Sequence, residues 1–417
     1  MASVTQVVGL VALALAAPDL AAGRWYGPTQ LGAAHLLGLG FLTLSIVGAL
    51  LQLVPVLIRR TLGRTSVMAA AGGALAVGGW STALGLWTAT PAAIGIGGSL
   101  SVCALLVLAG VLVVALVTSR NDAPSRDVRT GLGLATAWLV SLIVVGGMLA
   151  ADRTSSFLHV DRVRLLSAHT TIAAGGWVAG TILAIALRLA PMFALSHGHH
   201  RHLGRLAMAA WHLGVLVLAI GLGVQQQQTV QAGAATLALG GCLTAGFAID
   251  VTRHRRRRIE APLVHLVVGS VAATAAPASA LGAQAAGHTL RGVVVAAILV
   301  IVGLGCGVTS GHMFKVIPML VWTGRYAGRA GTQGAPRLAD MYPARIASAE
   351  LILFTAGLIV LVAGLASASG SLARLGALLL ASAAVCVVAA TAISVFGNAG
   401  THEPTTSPRH RPLEGPT

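Results

Sequence analysis

Apolar residues fill most of this chain in long stretches, and short polar segments separate one stretch from the next. A helix needs about 20 apolar residues to cross the hydrocarbon core of a bilayer. The pattern therefore predicts an all-α polytopic membrane protein with about twelve spans. These are expected at about residues 2–22, 32–57, 67–88, 92–118, 131–151, 166–190, 203–223, 229–250, 262–284, 290–320, 347–368 and 373–396.

The spans form a single predicted transmembrane domain, residues 1–397. Residues 398–417, NAGTHEPTTSPRHRPLEGPT, are polar and contain four prolines. They predict a disordered tail, because such a segment cannot bury enough apolar surface to fold. The N-terminus lacks the basic region of a signal peptide, so residues 2–22 are expected to remain as the first helix.

Composition excludes a soluble globular domain. Of the 417 residues, 56% are hydrophobic and 9% are charged, and the mean hydropathy is +0.85. The net charge of +16 comes from arginines in short loops. Positive charge in such loops reports membrane topology. We therefore expect the lipid bilayer as a partner and nucleic acid as none.

The arginines are distributed unevenly between the two sets of loops. Most of the 27 basic residues follow even-numbered spans, including the run RHRRRR at residues 253–258. The loops after odd-numbered spans carry only Arg24, Arg153, Arg162, Arg164, Arg291 and Arg374. The positive-inside rule then predicts a plasma (inner) membrane protein with both termini in the cytoplasm. Attraction to anionic lipids also explains the arginine run.

Spans 2, 6 and 10 share a pattern of glycines followed by a late proline between aliphatic residues. The prolines are Pro55, Pro191 and Pro318. Because the three spans are four apart, the pattern predicts three pseudo-symmetric four-helix units. Glycine and proline are also frequent in membrane helices generally, which is the alternative explanation.

Two histidines precede these prolines at similar distances. His35 lies 20 residues before Pro55, and His169 lies 22 residues before Pro191. Both begin helices that enter from the outer side. Two residues turn an α-helix by about 200°, so we expect the histidines to leave opposite sides of equivalent helices. Imidazole is a common axial ligand of heme iron, so both are candidate heme or metal ligands.

These histidine-to-proline motifs resemble those of subunit I of the heme–copper oxidase superfamily, which includes the nitric oxide reductases. The later stretches GHMFKVIPMLVW and PRLADMYPARIASAE are similar to the shorter, divergent subunit-I-like proteins. The resemblance implies a twelve-helix core with pseudo-threefold symmetry and heme b bound through His35 and a second histidine. Copper is a further implied cofactor. Electron transfer or binding of nitric oxide or oxygen is the implied activity, with a heme- or cupredoxin-type donor or companion subunits as partners.

The chain also departs from that family. The positions of its His-x-His on the tenth helix hold Ala296 and Ile298. Glu350 and Lys315 are expected near span ends rather than inside the membrane, where proton relays need them. We therefore expect no complete oxygen-reducing, proton-pumping site. A heme-dependent oxidoreductase remains the candidate enzyme class.

The remaining histidines give weaker candidates. His288 is a third candidate cofactor ligand beside His35 and His169. His212 and His312 are further candidate metal ligands, and His265 is expected to be a packing residue. The segment SHGHHRH, in a basic inner loop, is expected to be a solvated face rather than a metal site. Arg24 and Arg291, on the outer side, are candidate partners of heme propionates.

Two other classes stay open. Twelve spans with proline-interrupted helices also fit a membrane transporter or a metal-handling permease. The apparent lack of buried charge argues against that class. A non-catalytic oxidase-like assembly scaffold, which has lost its metals, would explain the missing helix-10 ligands.

Overall fold

A computed structural model describes residues 1–119, 123–156, 161–330, 332 and 336–397. Twelve helices in this part of the chain are long and apolar enough to cross a membrane, which confirms the predicted multi-pass helical architecture. They are α1 (Ala2–Ala21), α2 (Pro28–Ile58), α3 (Thr65–Trp87), α4 (Pro91–Thr118), α5 (Ala123–Ser155), α6 (Arg162–Ala194), α7 (Arg201–Val224), α8 (Gln227–Arg253), α9 (Ala261–Ala285), α10 (Thr289–Arg325), α11 (Ala344–Ala366) and α12 (Gly370–Phe396). The predicted tail lies outside the described residues.

Several helices are longer than the apolar stretches that predicted them. Prolines begin α2 and α4, where the missing proline N–H would have had no partner in any case. α5 and α10 continue through polar turns as far as Ser155 and Arg325. Hydropathy marks only the part of a helix that faces lipid or protein, so the predicted spans were too short at these ends.

α2, α6 and α10 each change from α-helix to π-helix and back. The π-helical segments are Leu36–Thr43, Thr171–Ala179 and Leu299–Cys306. In all three helices the proline of the sequence motif follows twelve residues after the last π-helical residue. π-Helical turns are rare and occur frequently at functional sites. The wider backbone is therefore a shared property of these three helices.

The three π-helical segments pack against one another and form the centre of the molecule. A methyl group on Gly305 would lie 3.1 Å from the Leu42 side chain and 3.4 Å from that of Val178. Glycine at this position therefore lets α10 approach the other two helices without displacing the Leu42 side chain. Near the same level, the Trp177 indole N–H donates a hydrogen bond to the Thr43 hydroxyl at 3.3 Å, so α6 is also joined to α2.

The other nine helices surround this centre in sequential groups. α12 packs against α1 and α11, α4 packs against α3 and α5, and α8 packs against α7 and α9. Polar side chains also link helices that are two apart in the chain. These links are Trp80 to Thr5 at 3.0 Å, Trp138 to His212 at 3.1 Å and His265 to Glu350 at 2.7 Å. We call the face that carries the loops after even-numbered helices the basic side, and the other face the opposite side.

Candidate functional site

His35 and His169 lie next to each other in the half of the molecule near the opposite side. Each is the eighth residue of its helix, which places it about 10 Å along the axis from the helix start. The centroids of the two imidazole rings are 6.4 Å apart, and the ring planes differ by 17°. α2 and α6 pack around a common centre, so different faces of the two helices point at each other. The two strongest candidate ligands are therefore neighbours.

The hydrogen bond of His35 defines which ring nitrogen is free. Its Nδ1 lies 2.8 Å from the carbonyl oxygen of Leu31, one turn earlier in α2. A carbonyl only accepts, so Nδ1 carries the proton and donates. In the neutral ring, Nε2 then keeps its lone pair. A backbone carbonyl bound to one ring nitrogen while the other is free is the usual arrangement of a metal-ligating histidine.

His169 has no such orienting partner. Its Nδ1 is buried and makes no hydrogen bond with any described residue. Gly146 of α5 lies against the ring, and a methyl group there would come within 3.0 Å of Cε1 and 3.5 Å of Nδ1. The ring is therefore held by packing against a glycine backbone. A buried polar ring without a protein partner is costly unless another group satisfies it.

The spacing of the two rings fits one metal ion between them. Metal–imidazole bonds are about 2 Å long, so two imidazoles on opposite sides of one ion have centroids roughly 6 Å apart. Methyl groups at Gly38 of α2 and Gly147 of α5 would contact nothing within 4 Å, so the backbone near the pair is open at these two positions. The two imidazoles suit a metal-containing group such as heme, which His35 and His169 would hold.

A cation lies near this pair. Arg153, at the end of α5, is close enough to His35 to act on it electrostatically. It makes no hydrogen bond or ion pair with a described residue. The two arginines that the sequence suggested for heme propionates are occupied elsewhere. Arg24 pairs with Asp19, and Arg291 donates to the carbonyl of Ala366 at 3.3 Å. Arg153 is therefore the better candidate for a carboxylate partner.

His212 is buried in a different arrangement. Its Nδ1 accepts a hydrogen bond from the Trp138 indole N–H at 3.1 Å. Indole N–H can only donate, so the neutral His212 ring carries its proton on Nε2. That ring then has no lone pair left for a metal ion. Its Cε1 would lie 2.6 Å from a methyl group on Gly180, so the imidazole packs tightly on α6.

His312 and His288 lie apart from each other at the two ends of α10. His312 donates from Nδ1 to the carbonyl of Val308 at 2.8 Å, and its ring lies 5.8 Å from the Phe193 ring near the basic side. His288 is exposed at the start of α10 on the opposite side, with no side-chain capping bond. Among the described residues, no group of three histidine, cysteine, aspartate or glutamate side chains is arranged to hold a metal ion.

The half near the basic side contains a buried ionisable pair that the sequence patterns did not predict. His265 of α9 and Glu350 of α11 are 0% and 1% exposed, and His265 Nε2 lies 2.7 Å from Glu350 Oε2. Glu350 was expected near a span end. It lies in the second turn of α11, but α9 and α10 cover it completely. Gly311 of α10 makes room, since a methyl group there would come within 2.7 Å of the His265 ring.

A signal for this pair does exist in the sequence. His265 and Glu350 each lie about one turn inside the apolar part of a span, and Gly307 and Gly311 form a smooth stripe on α10. A glycine stripe predicts the close approach of another group. The sequence does not say which group approaches, because that depends on which helices flank α10.

Comparisons with protein-family models and with curated proteins found no relative of this chain. No family model matches the chain, and no curated protein matches it significantly.

Proposed function

We propose that this chain is a heme-binding integral membrane protein of the heme–copper oxidase subunit I type that transfers electrons. His35 and His169 would hold one heme b. The single observation that carries the proposal is the approach of these two imidazole rings to 6.4 Å between centroids, with ring planes that differ by 17°. The motifs that predicted both residues come from the same resemblance.

The architecture supports the same family. Three central helices, four apart in the chain, share a π-helical segment and a proline in the same register. Each is flanked by helices joined through a polar link. We interpret this as three pseudo-symmetric four-helix units, the arrangement that the resemblance implies. Two six-helix halves, the commonest transporter arrangement, would not put the shared pattern at helices 2, 6 and 10.

The chain's own residues would bind, orient and shield the group. The Leu31 carbonyl fixes the His35 ring and leaves Nε2 as the ligand atom. The glycine at position 146 lets the His169 ring sit against α5. The guanidinium of Arg153 would neutralise a propionate. A heme bound there would supply reversible one-electron transfer.

Two histidine ligands favour electron transfer over gas binding. Both imidazoles would hold the group, so neither would be spared for nitric oxide or oxygen. His35 is held by its hydrogen bond, whereas His169 has no hydrogen-bonding partner among the described residues. His35 would therefore be the more firmly oriented of the two ligands. A plasma membrane location, cytoplasmic termini and a redox partner protein belong to the same proposal.

The test is an absorption spectrum of the detergent-purified chain, oxidised and dithionite-reduced, together with a pyridine haemochrome assay. We expect about one heme b per chain and sharp reduced α and β bands. His35→Ala should remove most of the heme, because the remaining imidazole holds only one axial position. His288→Ala is the matched control, since this exposed histidine begins an equivalent helix on the same side.

A featureless spectrum from protein made with ample heme would contradict the proposal. Unchanged heme per chain in His35→Ala would exclude His35 as a ligand.

A second candidate function gains support from one observation. A proton-coupled transporter needs ionisable groups inside the membrane, and the buried His265–Glu350 pair supplies them. This removes the sequence-based argument that the chain has almost no buried charge. Substrate uptake by proteoliposomes of heme-free protein, lost in Glu350→Gln, would favour this function.

A further inference from the structure

A cavity of about 310 Å³ opens at the basic side between the ends of four helices. Its walls are the beginning of α5, the end of α6, the beginning of α7 and the side of α8. Ligand sites typically start at about this size. The cavity lies at the membrane boundary, at the far end of the molecule from His35 and His169, and the inference drawn from it does not depend on heme binding.

The cavity carries unneutralised positive charge. Arg188 and Arg201 both line it, and neither forms a hydrogen bond or ion pair with any residue in the described part of the chain. Arg188 belongs to a membrane helix, where an unpaired charge is costly. The two arginines therefore have donors available for a ligand.

The nearby carboxylates are already engaged. Asp127 lines the cavity, but Arg205 donates to it at 2.9 Å. Asp250 accepts from the backbone N–H of His200 at 2.6 Å and lies 3.3 Å from the imidazole nitrogens of His200 and His254. Neither carboxylate is left to compensate Arg188 or Arg201. The surplus charge of the cavity is therefore positive.

Other parts of the wall also suit an anion. α7 begins at Arg201, and its N-cap residue makes no side-chain capping bond, so the positive end of the helix is open. The basic run 253–258 is anchored beside the cavity, because the Arg256 N–H donates to the carbonyl of Ala194 at 3.1 Å. Burial lowers the pKa of His199, an imidazole that also lines the cavity.

Ser196 and His197 add polar groups to the lining, and the remaining part of it is apolar. Leu187, Met192 and Leu195 line the cavity, and Met192 and Leu195 are exposed. Cationic residues at the headgroup level with apolar residues beside them are the chemistry that recognises an anionic phospholipid. We propose that this cavity binds a phosphate group through Arg188 and Arg201, carried either by an anionic lipid headgroup or by a free phosphate ion.

The test measures binding to the full-length chain in detergent by native mass spectrometry. The probes are a short-chain phosphatidylglycerol, the matching phosphatidylcholine and inorganic phosphate. The test variant is R188Q/R201Q. The control variant is R60Q/R64Q, which removes two exposed arginines on the same side that do not line the cavity. Circular dichroism checks that both variants keep the helical fold.

We expect one phosphatidylglycerol per chain, bound at least about tenfold more weakly by R188Q/R201Q and normally by the control. That result makes an anionic lipid the ligand. If only inorganic phosphate shows this dependence, the site holds but its ligand is the free ion. Equal binding of every probe by all three proteins would overturn the proposal, and so would equal binding of phosphatidylglycerol and phosphatidylcholine when inorganic phosphate also shows no dependence on the two arginines.

Discussion

Two pairs of polar side chains occupy the two halves of this membrane domain, and they are built in opposite ways. Near the basic side, His265 and Glu350 bind each other directly at 2.7 Å and are almost completely buried. Near the opposite side, His35 and His169 face each other at 6.4 Å with no bond between them. The first pair is closed, because its two side chains bind each other, although His265 Nδ1 is buried and has no partner among the described residues. The second is open, because it leaves room for a third group.

This difference indicates a structural role for the closed pair and a binding role for the open pair. The closed pair holds α9 and α11 together, and we expect it to contribute to the free energy of unfolding. The two rings of the open pair do not bind each other, and His169 Nδ1 would gain a partner only when a ligand binds. The same residue type therefore has different roles in the two halves, and the roles are set by the neighbour that each imidazole meets.

The largest expected effect comes from breaking the closed pair. Glu350→Ala leaves His265 buried without its carboxylate, and we expect the free energy of unfolding to fall by about 3–5 kcal/mol. Thermal or denaturant unfolding in detergent would measure the loss. An unfolding free energy within about 0.5 kcal/mol of the wild type would show that the pair is not structural.

The matched control replaces both partners. His265→Leu/Glu350→Leu removes the two polar groups together, so most of the stability should return. Heme per chain should equal that of the wild type in this double variant, because neither side chain belongs to the open pair. A loss of heme in a stably folded double variant would show that the closed pair also contributes to heme binding.

A smaller effect is expected from crowding the open pair. Gly146→Ala places a methyl group 3.0 Å from His169 Cε1. Such overpacking typically costs about 1–3 kcal/mol, which corresponds to at least a roughly fivefold weaker retention of heme. Gly133→Ala, on the same helix but far from the histidine pair, is the control, since its methyl group would meet nothing within 4 Å. Equal heme retention by the two variants would contradict the placement of His169.

His212 offers a third buried histidine that sharpens the comparison. Its Nδ1 accepts a hydrogen bond from Trp138, whereas its buried Nε2 has no partner among the described residues. Trp138→Phe removes the donor, and we expect a loss of about 1 kcal/mol in unfolding free energy. The heme spectrum should not change. A spectral shift in this variant would instead show that His212 acts on the heme.

The smallest effect concerns Tyr342, at the edge of the closed pair. Its hydroxyl accepts a hydrogen bond from the Ala261 N–H at 3.3 Å, and burial raises the pKa of the phenol. A pKa raised on folding gives stability that is present below about pH 10 and is lost as the pH rises through the folded value. Tyr342→Phe should reduce this alkaline loss. An identical decline in both proteins would exclude Tyr342 as its source.

The helices could be predicted from the sequence, but the contacts between them could not. The apolar stretches predicted all twelve spans, and the prolines singled out α2, α6 and α10. The π-helical segments were not predicted, because glycine-rich apolar residues are compatible with either helix type. The spacing to the prolines predicted only that His35 and His169 leave opposite sides of equivalent helices, and not that they meet. Whether two side chains point toward each other depends on the rotation of both helices about their own axes. The residue pattern of a single helix does not give this rotation.

Glu350 illustrates the same limit from the other direction. Its position one turn inside a span suggested a side chain that reaches water. The flanking α9 and the glycines of α10 cover it instead, and they supply His265 as its partner. Burial of a polar residue is decided by its neighbours rather than by its distance from the end of a helix.

The most direct test of the open pair is electron paramagnetic resonance of the oxidised, heme-loaded protein, because the angle between two axial imidazoles sets the anisotropy of a low-spin ferric signal. The ring planes of His35 and His169 differ by 17°, so we predict the rhombic low-spin spectrum of nearly parallel imidazoles. His169→Ala should convert it to a high-spin signal. A high-spin spectrum from the wild type, or a low-spin spectrum that survives the loss of His169, would contradict the account.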